Sequence, residues 1–163
     1  MKLFNTFQSA AQDITPKAPV LPVPVILLLL DALLVVPQAA FSVYHYYRTR
    51  GSVGDKIPIH FGINGSPDSF AASSYFCIYP ALNVLIAFTS IICANYVPAL
   101  FGVLFSITMG TSLLLLCITQ HYCGPISRGE LTQIPSIVFY PSLVLIFLST
   151  IALIIYAIYA SSS

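Results

Sequence analysis

The feature that most constrains this chain is the length of its uncharged stretches. The 59 residues from Ser69 to Ser127 contain no Asp, Glu, Lys or Arg, and neither do the 33 residues from Leu131 to Ser163. Between Ala18 and Tyr47 the only such residue is Asp31. A helix needs about 20 predominantly apolar residues to cross the hydrocarbon core of a bilayer. The first and last stretches therefore each predict one transmembrane helix, and the middle stretch predicts two.

The composition excludes the water-soluble classes of protein. Charged residues make up 7% of the chain, against about 25% in a soluble domain, so the side chains that would cover a water-facing surface are missing. Hydrophobic residues make up 58%, and the mean hydropathy is +0.91. The net charge of +1 gives no basic field for phosphates. These values exclude a soluble enzyme, a disordered regulator and a nucleic-acid binder, and they predict an integral membrane protein embedded in a lipid bilayer.

We predict an all-α polytopic membrane protein with four transmembrane helices and an ordered extramembrane loop, 48–74, between the first two. A polar N-terminal arm, 1–22, precedes the four-span membrane domain, 23–160. Prolines between 16 and 24 disfavour a helix before the first span and suit its first turn. The predicted spans are, in chain order, about 23–47, 75–95, 99–119 and 135–159.

The basic residues predict an orientation for these spans. Four spans place both termini on one side and the two connecting loops, after the first and third spans, on the other. Four of the six Lys and Arg residues lie on the loop side, so the positive-inside rule predicts that the loops face the cytoplasm or its organelle equivalent. The run from Tyr44 to Tyr47, followed by Arg48 and Arg50, predicts an anchor at the headgroup layer. The sequence does not indicate which membrane is occupied.

Two features inside the spans call for interpretation, and the first is a stripe of small residues. Gly102, Ser106 and Gly110 follow one another at a spacing of four in the third span. Such a stripe lets another helix approach closely. We interpret it as packing onto neighbouring spans of the same chain, with an oligomer interface as the alternative.

The second feature is Asp31, the only Asp, Glu, Lys or Arg well inside a predicted span. A charge at the centre of a membrane helix costs about 2.5–3.5 kcal/mol on the insertion scale, so such a residue is a candidate proton relay, ion site or partner contact. The structural alternatives are protonation, a hydrogen bond to Gln38 seven residues along the same face, or pairing with Asn83 or Asn95 of the second span.

The loop after the first span is the least generic part of the chain. Pro58 biases the preceding residue toward an extended conformation, and Asn64-Gly65 is a strong turn signal because glycine accepts a positive φ. Apolar residues alternate with others from 57 to 64, which predicts an extended piece with one apolar face against the bundle. We therefore expect a compact folded cap. The alternating apolar residues are Ile57, Ile59, Phe61 and Ile63.

The loop carries the pattern P-x-H-F-x-x-x-G-x-P-D, formed by Pro58, His60, Phe61, Gly65, Pro67 and Asp68. The order of one span, this motif and then a pair of spans resembles the bacterial membrane domain of SdpI-type immunity proteins. The resemblance covers about residues 44–94. Spans three and four match only as apolar helices. Family loops commonly carry an aromatic and a lysine after the Asp; here Phe70 supplies the aromatic and no lysine follows.

The resemblance implies a non-enzymatic membrane protein whose relatives confer immunity to a secreted toxin and signal its presence. Full SdpI-type proteins carry a further multi-span half that has no counterpart in this sequence.

The same loop contains groups that bind protons and metals. His60 and Asp68, eight residues apart in a turn-rich segment, are placed to hydrogen-bond and fix the imidazole tautomer. Four-span topology also puts His45, His121 and Cys123 on the side of His60, and zinc or copper accepts such ligands. Nothing in the sequence brings these four within bonding distance. We therefore predict no metal and no other cofactor, and we expect lipid contacts.

The predicted function is binding and not catalysis. The sequence contains no G-x-S-x-G, no H-E-x-x-H and no glycine-rich phosphate loop. The first hypothesis is recognition of a protein or peptide partner by the loop 54–74. The second is an accessory subunit of a respiratory or photosynthetic membrane complex, since such subunits are small, apolar and charge-poor. The third is a proton- or solute-linked transporter centred on Asp31.

Overall fold

The computed structural model describes residues 23–94 and 99–162. The predicted N-terminal arm and Asn95, one proposed partner of Asp31, lie outside the described residues. Helices and one antiparallel hairpin follow each other along the chain. Their bounds are α1 Val23–Leu34, α2 Val36–Thr49, β1 Lys56–Phe61, β2 Pro67–Ala72, a 3-10 helix Ser73–Cys77, α3 Ile78–Ala94, α4 Ala99–Ser127 and α5 Ser136–Ser162.

The prediction of a helical protein with four apolar spans is confirmed. Four helical segments are long and apolar enough to cross a membrane, and this is the composition of a multi-pass integral membrane protein. Each lies close to a predicted span, and the extramembrane hairpin lies between the first two. The segments are Leu28–Thr49, Ser73–Cys93, Leu100–Ser127 and Ser136–Ser161.

The first span is locally distorted at Val35, between α1 and α2, where φ is −105° and ψ is −51°. The helical bonds continue across this point, since Val35 donates to the Asp31 carbonyl at 2.9 Å and accepts from the Ala39 N–H at 3.2 Å. Pro37 lies in the first turn of α2 and has no N–H to give to the preceding turn. The side-chain amide of Gln38, the next residue, donates to the carbonyl oxygen of Leu34 and to that of Gly110 at 3.0 Å. The second of these bonds joins the first span to the third.

The third span is longer than the sequence predicts. Its end was expected at 119, with a loop from Gln120 to Ile134, whereas α4 continues to Ser127. The prediction was wrong here because polar residues that indicate a loop are buried: Gln120 and Cys123 are both fully enclosed. Their hydrogen-bond partners on other elements offset the cost of burying polar groups.

Helix α4 is the centre of the bundle and packs against α1, α2, α3, α5 and β1. The small-residue stripe on it is buried throughout. A Cβ atom on Gly110 would lie 3.2 Å from the Cβ of Leu34, so at this level the stripe packs against the first span of the same chain. Helix α5 packs mainly on α4 and exposes most of its apolar surface.

The extramembrane cap is a β-hairpin with a turn at the predicted position. Strands β1 and β2 pair in antiparallel register. Gly65 has φ +77°, a conformation that favours glycine because it has no Cβ. The side-chain oxygen of Asn64 accepts a hydrogen bond from the backbone N–H of Ser66 at 3.1 Å, which closes the turn.

The expected single apolar face of the hairpin is wrong. The register shifts twice, so that Ile59 in β1 and Asp68 in β2 have no residue opposite them. A bulge of this kind turns side chains away from strict alternation. Ile57 is therefore buried and Phe61 half-buried, whereas Ile59 is exposed and Ile63, in the turn, is 86% exposed.

Replacing Gly54 by Ala tests how closely the chain entering β1 approaches α4. The added Cβ would lie 2.4 Å from the carbonyl oxygen of Ser127, so backbone must move, and we expect a loss of about 1–3 kcal/mol in the free energy of unfolding. Unfolding by SDS titration in mixed micelles measures the change. The control is Gly51→Ala, since no heavy atom lies within 4 Å of a Cβ added there. Equal stability of the two variants would contradict the close contact between Gly54 and Ser127.

Candidate functional site

The base and middle of the hairpin are fixed to the membrane helices by hydrogen bonds. The N–H of Gly54 donates to the Oγ of Ser127 at 2.9 Å. The carbonyl oxygen of Pro58 accepts from the hydroxyl of Tyr79 at 2.8 Å and from the Sγ of Cys123 at 3.8 Å. Pro58 and Cys123 are buried, so these bonds satisfy polar groups that water does not reach.

The tip of the hairpin is held by the segment that leads into α5. The backbone N–H of Ile134 donates to the carbonyl oxygen of Gly65 at 3.0 Å, and the Oγ of Ser66 donates to the side-chain oxygen of Gln133 at 3.3 Å. Gly65 also faces the ring of Phe139, which a Cβ atom would approach to 3.2 Å. A hairpin held at its base, middle and tip has a defined orientation relative to the bundle.

The outer surface of the hairpin carries the His60–Asp68 pair. The Nδ1 of His60 lies 2.5 Å from the Oδ1 of Asp68, and the two side chains are 69% and 52% exposed. An ionised carboxylate only accepts, so the imidazole donates its Nδ1–H, which fixes the tautomer. The Nε2 atom of His60 is then left to bond with solvent or with a ligand.

Large apolar side chains are exposed on the same hairpin. Ile59, Ile63 and Phe70 are 45%, 86% and 51% exposed. Single exposed apolar residues are common on protein surfaces. Here three of them lie on one short ordered element outside the spans, and such a grouping is typical of surfaces that contact a protein or a membrane. The other motif residues serve the scaffold, because Asn64 and Gly65 form the turn and Pro67 begins β2.

The four candidate metal ligands lie in three separate places. The Nε2 of His45 and the Nδ1 of His121 are 3.3 Å apart near the end of the first span. His60 lies on the outer surface of the hairpin, and Cys123 lies beneath it in a buried apolar cluster. Within the described ranges, 23–94 and 99–162, no group of three or more His, Cys, Asp or Glu side chains is placed to hold a metal ion.

Charged groups surround the loop side of the bundle. The Arg50 guanidinium lies 5.8 Å and 5.2 Å from the ring centres of Tyr46 and Tyr47, which is a cation–π contact of the predicted interfacial anchor. Arg128 bonds to both carboxylate oxygens of Glu130. These hydrogen bonds hold the pKa of Glu130 below its ordinary value and raise the pKa of Arg128.

A cluster of polar side chains joins spans one, two and three inside the bundle. The Oγ of Ser42 donates to the side-chain oxygen of Gln120, whose amide donates to the Ser42 carbonyl at 2.9 Å. The amide of Asn83 donates to the Ser42 Oγ at 3.0 Å and to the Tyr79 carbonyl at 2.9 Å. The Sγ of Cys117 lies 3.3 Å from the Gln38 carbonyl oxygen and 3.7 Å from the Asn83 Oδ1, and its single proton serves one of them at a time. Every side chain of this Ser42 cluster therefore has a partner.

Asp31 is buried against a serine that the sequence analysis did not name. The Oγ of Ser90 donates to its Oδ1 at 2.9 Å, and Asp31 is 1% exposed. Two of the expected partners, Gln38 and Asn83, are wrong, because Gln38 bonds to backbone carbonyls and Asn83 belongs to the Ser42 cluster. The antiparallel second span places Ser90, and not Asn83, at the level of Asp31. The adjacent hydroxyl residues Thr89 and Ser90 in an apolar span were the only signal available.

An apolar crevice of about 470 Å³ opens between α2, α4 and the start of α5. Its walls include Gln38, Phe41, Cys117, His121 and Val138. A crevice with apolar walls between membrane helices suits a lipid acyl chain, in keeping with the lipid contacts that the composition predicts.

Comparisons of the chain with protein-family models, with curated proteins and with solved structures found no match. The interpretation of its function therefore depends on the residues and geometry described above.

Removing the Tyr79 hydroxyl should disturb the hairpin more than removing the exposed histidine. Tyr79→Phe takes away the donor to the buried Pro58 carbonyl, and we expect it to cost about 1–3 kcal/mol of hairpin stability. His60→Ala breaks an exposed pair, which contributes about 0–1 kcal/mol. Amide hydrogen exchange of β1 in nanodiscs measures both variants. A larger loss of protection in His60→Ala would contradict the arrangement of anchors.

Proposed function

We propose that this chain is a non-catalytic membrane protein that binds a protein or peptide partner through the outer surface of its hairpin. The observation that carries the proposal is the division of the hairpin into two surfaces. Ile57 and Pro58 are buried on the bundle, whereas Ile59, Ile63 and His60 are exposed. One surface holds the element in place and the other is left for a partner.

The fixed orientation of the hairpin supports binding. Ordering a loop when a partner arrives reduces affinity, and a recognition element that is ordered beforehand avoids that cost. The anchors at Gly54, Pro58 and Gly65 order this hairpin before any partner is present.

The exposed groups also indicate the chemistry of the partner. Ile63 and Phe70 offer apolar contact area, and the Nε2 of His60 offers one hydrogen bond whose direction is set by Asp68. A peptide or protein segment with an apolar side chain next to a polar group satisfies both. The exposure of the His60–Asp68 pair favours binding over catalysis, because catalytic groups act most strongly in sites that exclude water.

We further propose that the chain is related to the membrane domain of SdpI-type immunity proteins. Support comes from the places that the motif residues occupy in the fold. Gly65 forms the turn with a positive φ, the Pro58 carbonyl anchors the strand, and His60 pairs with Asp68. This relationship makes a secreted toxin the expected partner.

Photo-crosslinking in native membranes tests the proposal. We expect benzoylphenylalanine in place of Ile63 to give one discrete adduct, because this side chain is exposed at the tip of an ordered element. Adding His60→Ala should reduce the adduct at least threefold, since the hydrogen bond to the partner is lost. Immunoblotting and mass spectrometry of the adduct measure the outcome.

The matched control places the same crosslinker at Tyr47, which is aromatic, 64% exposed and at the membrane anchor. No adduct at Ile63, or the same adduct with equal yield at Tyr47, would contradict recognition by the hairpin. Adducts at Tyr47 alone with subunits of a large membrane complex would support the accessory-subunit hypothesis instead.

A further inference from the structure

Two unpaired polar atoms lie buried in the same part of the bundle. Within residues 23–94 and 99–162, three buried side-chain atoms have no hydrogen-bond partner: the Oδ2 of Asp31, the Oγ of Ser106 and, further along the first span, the Oε1 of Gln38. Asp31 is 1% exposed and Ser106 is 0% exposed. An unpaired polar group in a low-dielectric interior is costly, so each such atom in a native fold calls for an explanation.

The packing of α1 on α4 places the two atoms at one level. The Cβ of Leu34 would lie 3.2 Å from a Cβ on Gly110, which sets the register of the helices. Helix α1 belongs to span one and α4 to span three, so the two helices run in the same direction. Ser106 precedes Gly110 by about one turn, and Asp31 precedes Leu34 by about one turn. Ser106 therefore faces α1 at the level of Asp31, and Ser90 of α3 completes the group from the third side.

The Ser42 cluster shows that spans one, two and three can pair buried polar side chains with one another. Ser42, Asn83 and Gln120 each have hydrogen-bond partners on these spans. At the level of Asp31 the same three spans leave two oxygens without partners. These two oxygens are free to coordinate a bound species.

The charge at this level limits what that species can be. Helices α1, α3 and α4 contain no Lys or Arg, so no cationic side chain on them balances the Asp31 carboxylate. A single carboxylate is neutralised by one positive charge. Two hydroxyl oxygens and a carboxylate are ligands for a hard cation, which prefers oxygen.

The three side chains come from three different helices. Asp31 lies on α1, Ser90 on α3 and Ser106 on α4, so a species bound among them contacts all three helices. We propose that Asp31, Ser90 and Ser106 form an intramembrane site for a monovalent alkali cation of the size of Na⁺.

Thermal unfolding of the purified protein in detergent tests this site. With NaCl replacing choline chloride at constant ionic strength, we expect the unfolding midpoint to rise and then saturate, because a ligand that binds only the folded state stabilises it by mass action. Asp31→Asn should abolish the sodium-dependent rise. Ser106→Ala should increase the half-saturating NaCl concentration at least tenfold.

The matched control is Ser42→Ala, which removes a hydroxyl from the Ser42 cluster on the same helices. This variant should have a lower midpoint and an unchanged dependence on sodium. Binding of ²²Na⁺ to the wild-type protein, measured by scintillation proximity, gives a second readout in case Asp31→Asn does not fold.

A wild-type unfolding midpoint that is the same in NaCl and in choline chloride would overturn the site. A bound water at this position, or a protonated Asp31, would give that result. A sodium dependence that persists in both Asp31→Asn and Ser106→Ala would overturn it equally. The site is independent of the hairpin, so failure of the crosslinking experiment and failure of this one are separate outcomes.

Discussion

The bundle depends on pairing polar groups inside a medium that supplies no hydrogen-bond partners. The Ser42 cluster meets this constraint by linking spans one, two and three with side chains that satisfy each other. It lies below the hairpin, since Tyr79 donates to Pro58 and its own carbonyl accepts from Asn83. The same contacts that satisfy the membrane interior therefore fix the extramembrane element, and the two parts of the protein share one framework.

Features that depend on local sequence were predictable. Four spans follow from the length of the charge-free stretches, and the hairpin turn follows from Asn64-Gly65. The extra turns of α4 were not predicted. Whether Gln120 continues a membrane helix depends on a partner from another span. A tertiary contact decides this, and no local pattern records it.

The candidate sites divide in the same way. His60 and Asp68 could be paired from the sequence because a short turn-rich loop limits their separation. Ser90 could not be assigned to Asp31, because the pairing depends on how far one helix is translated along another. Topology correctly puts His45, His60, His121 and Cys123 on one side, yet the side of a membrane does not determine a distance. The bulges at Ile59 and Asp68 likewise arise from strand pairing, which overrode the alternation of apolar residues.

Asp31 lies about 27 Å along the first span from Thr49, at about 1.5 Å of rise per residue, so the interior site and the hairpin are well separated. A second connection links the hairpin to the last span. The backbone bond from Ile134 to Gly65 joins the hairpin tip to the segment that enters α5, and α5 is the least buried of the four spans. Bilayers of different thickness change the tilt of a span. A change in the tilt of α5 would therefore act first on the Gly65 turn, while the bonds at Gly54 and Pro58 keep the base and middle of the hairpin in place.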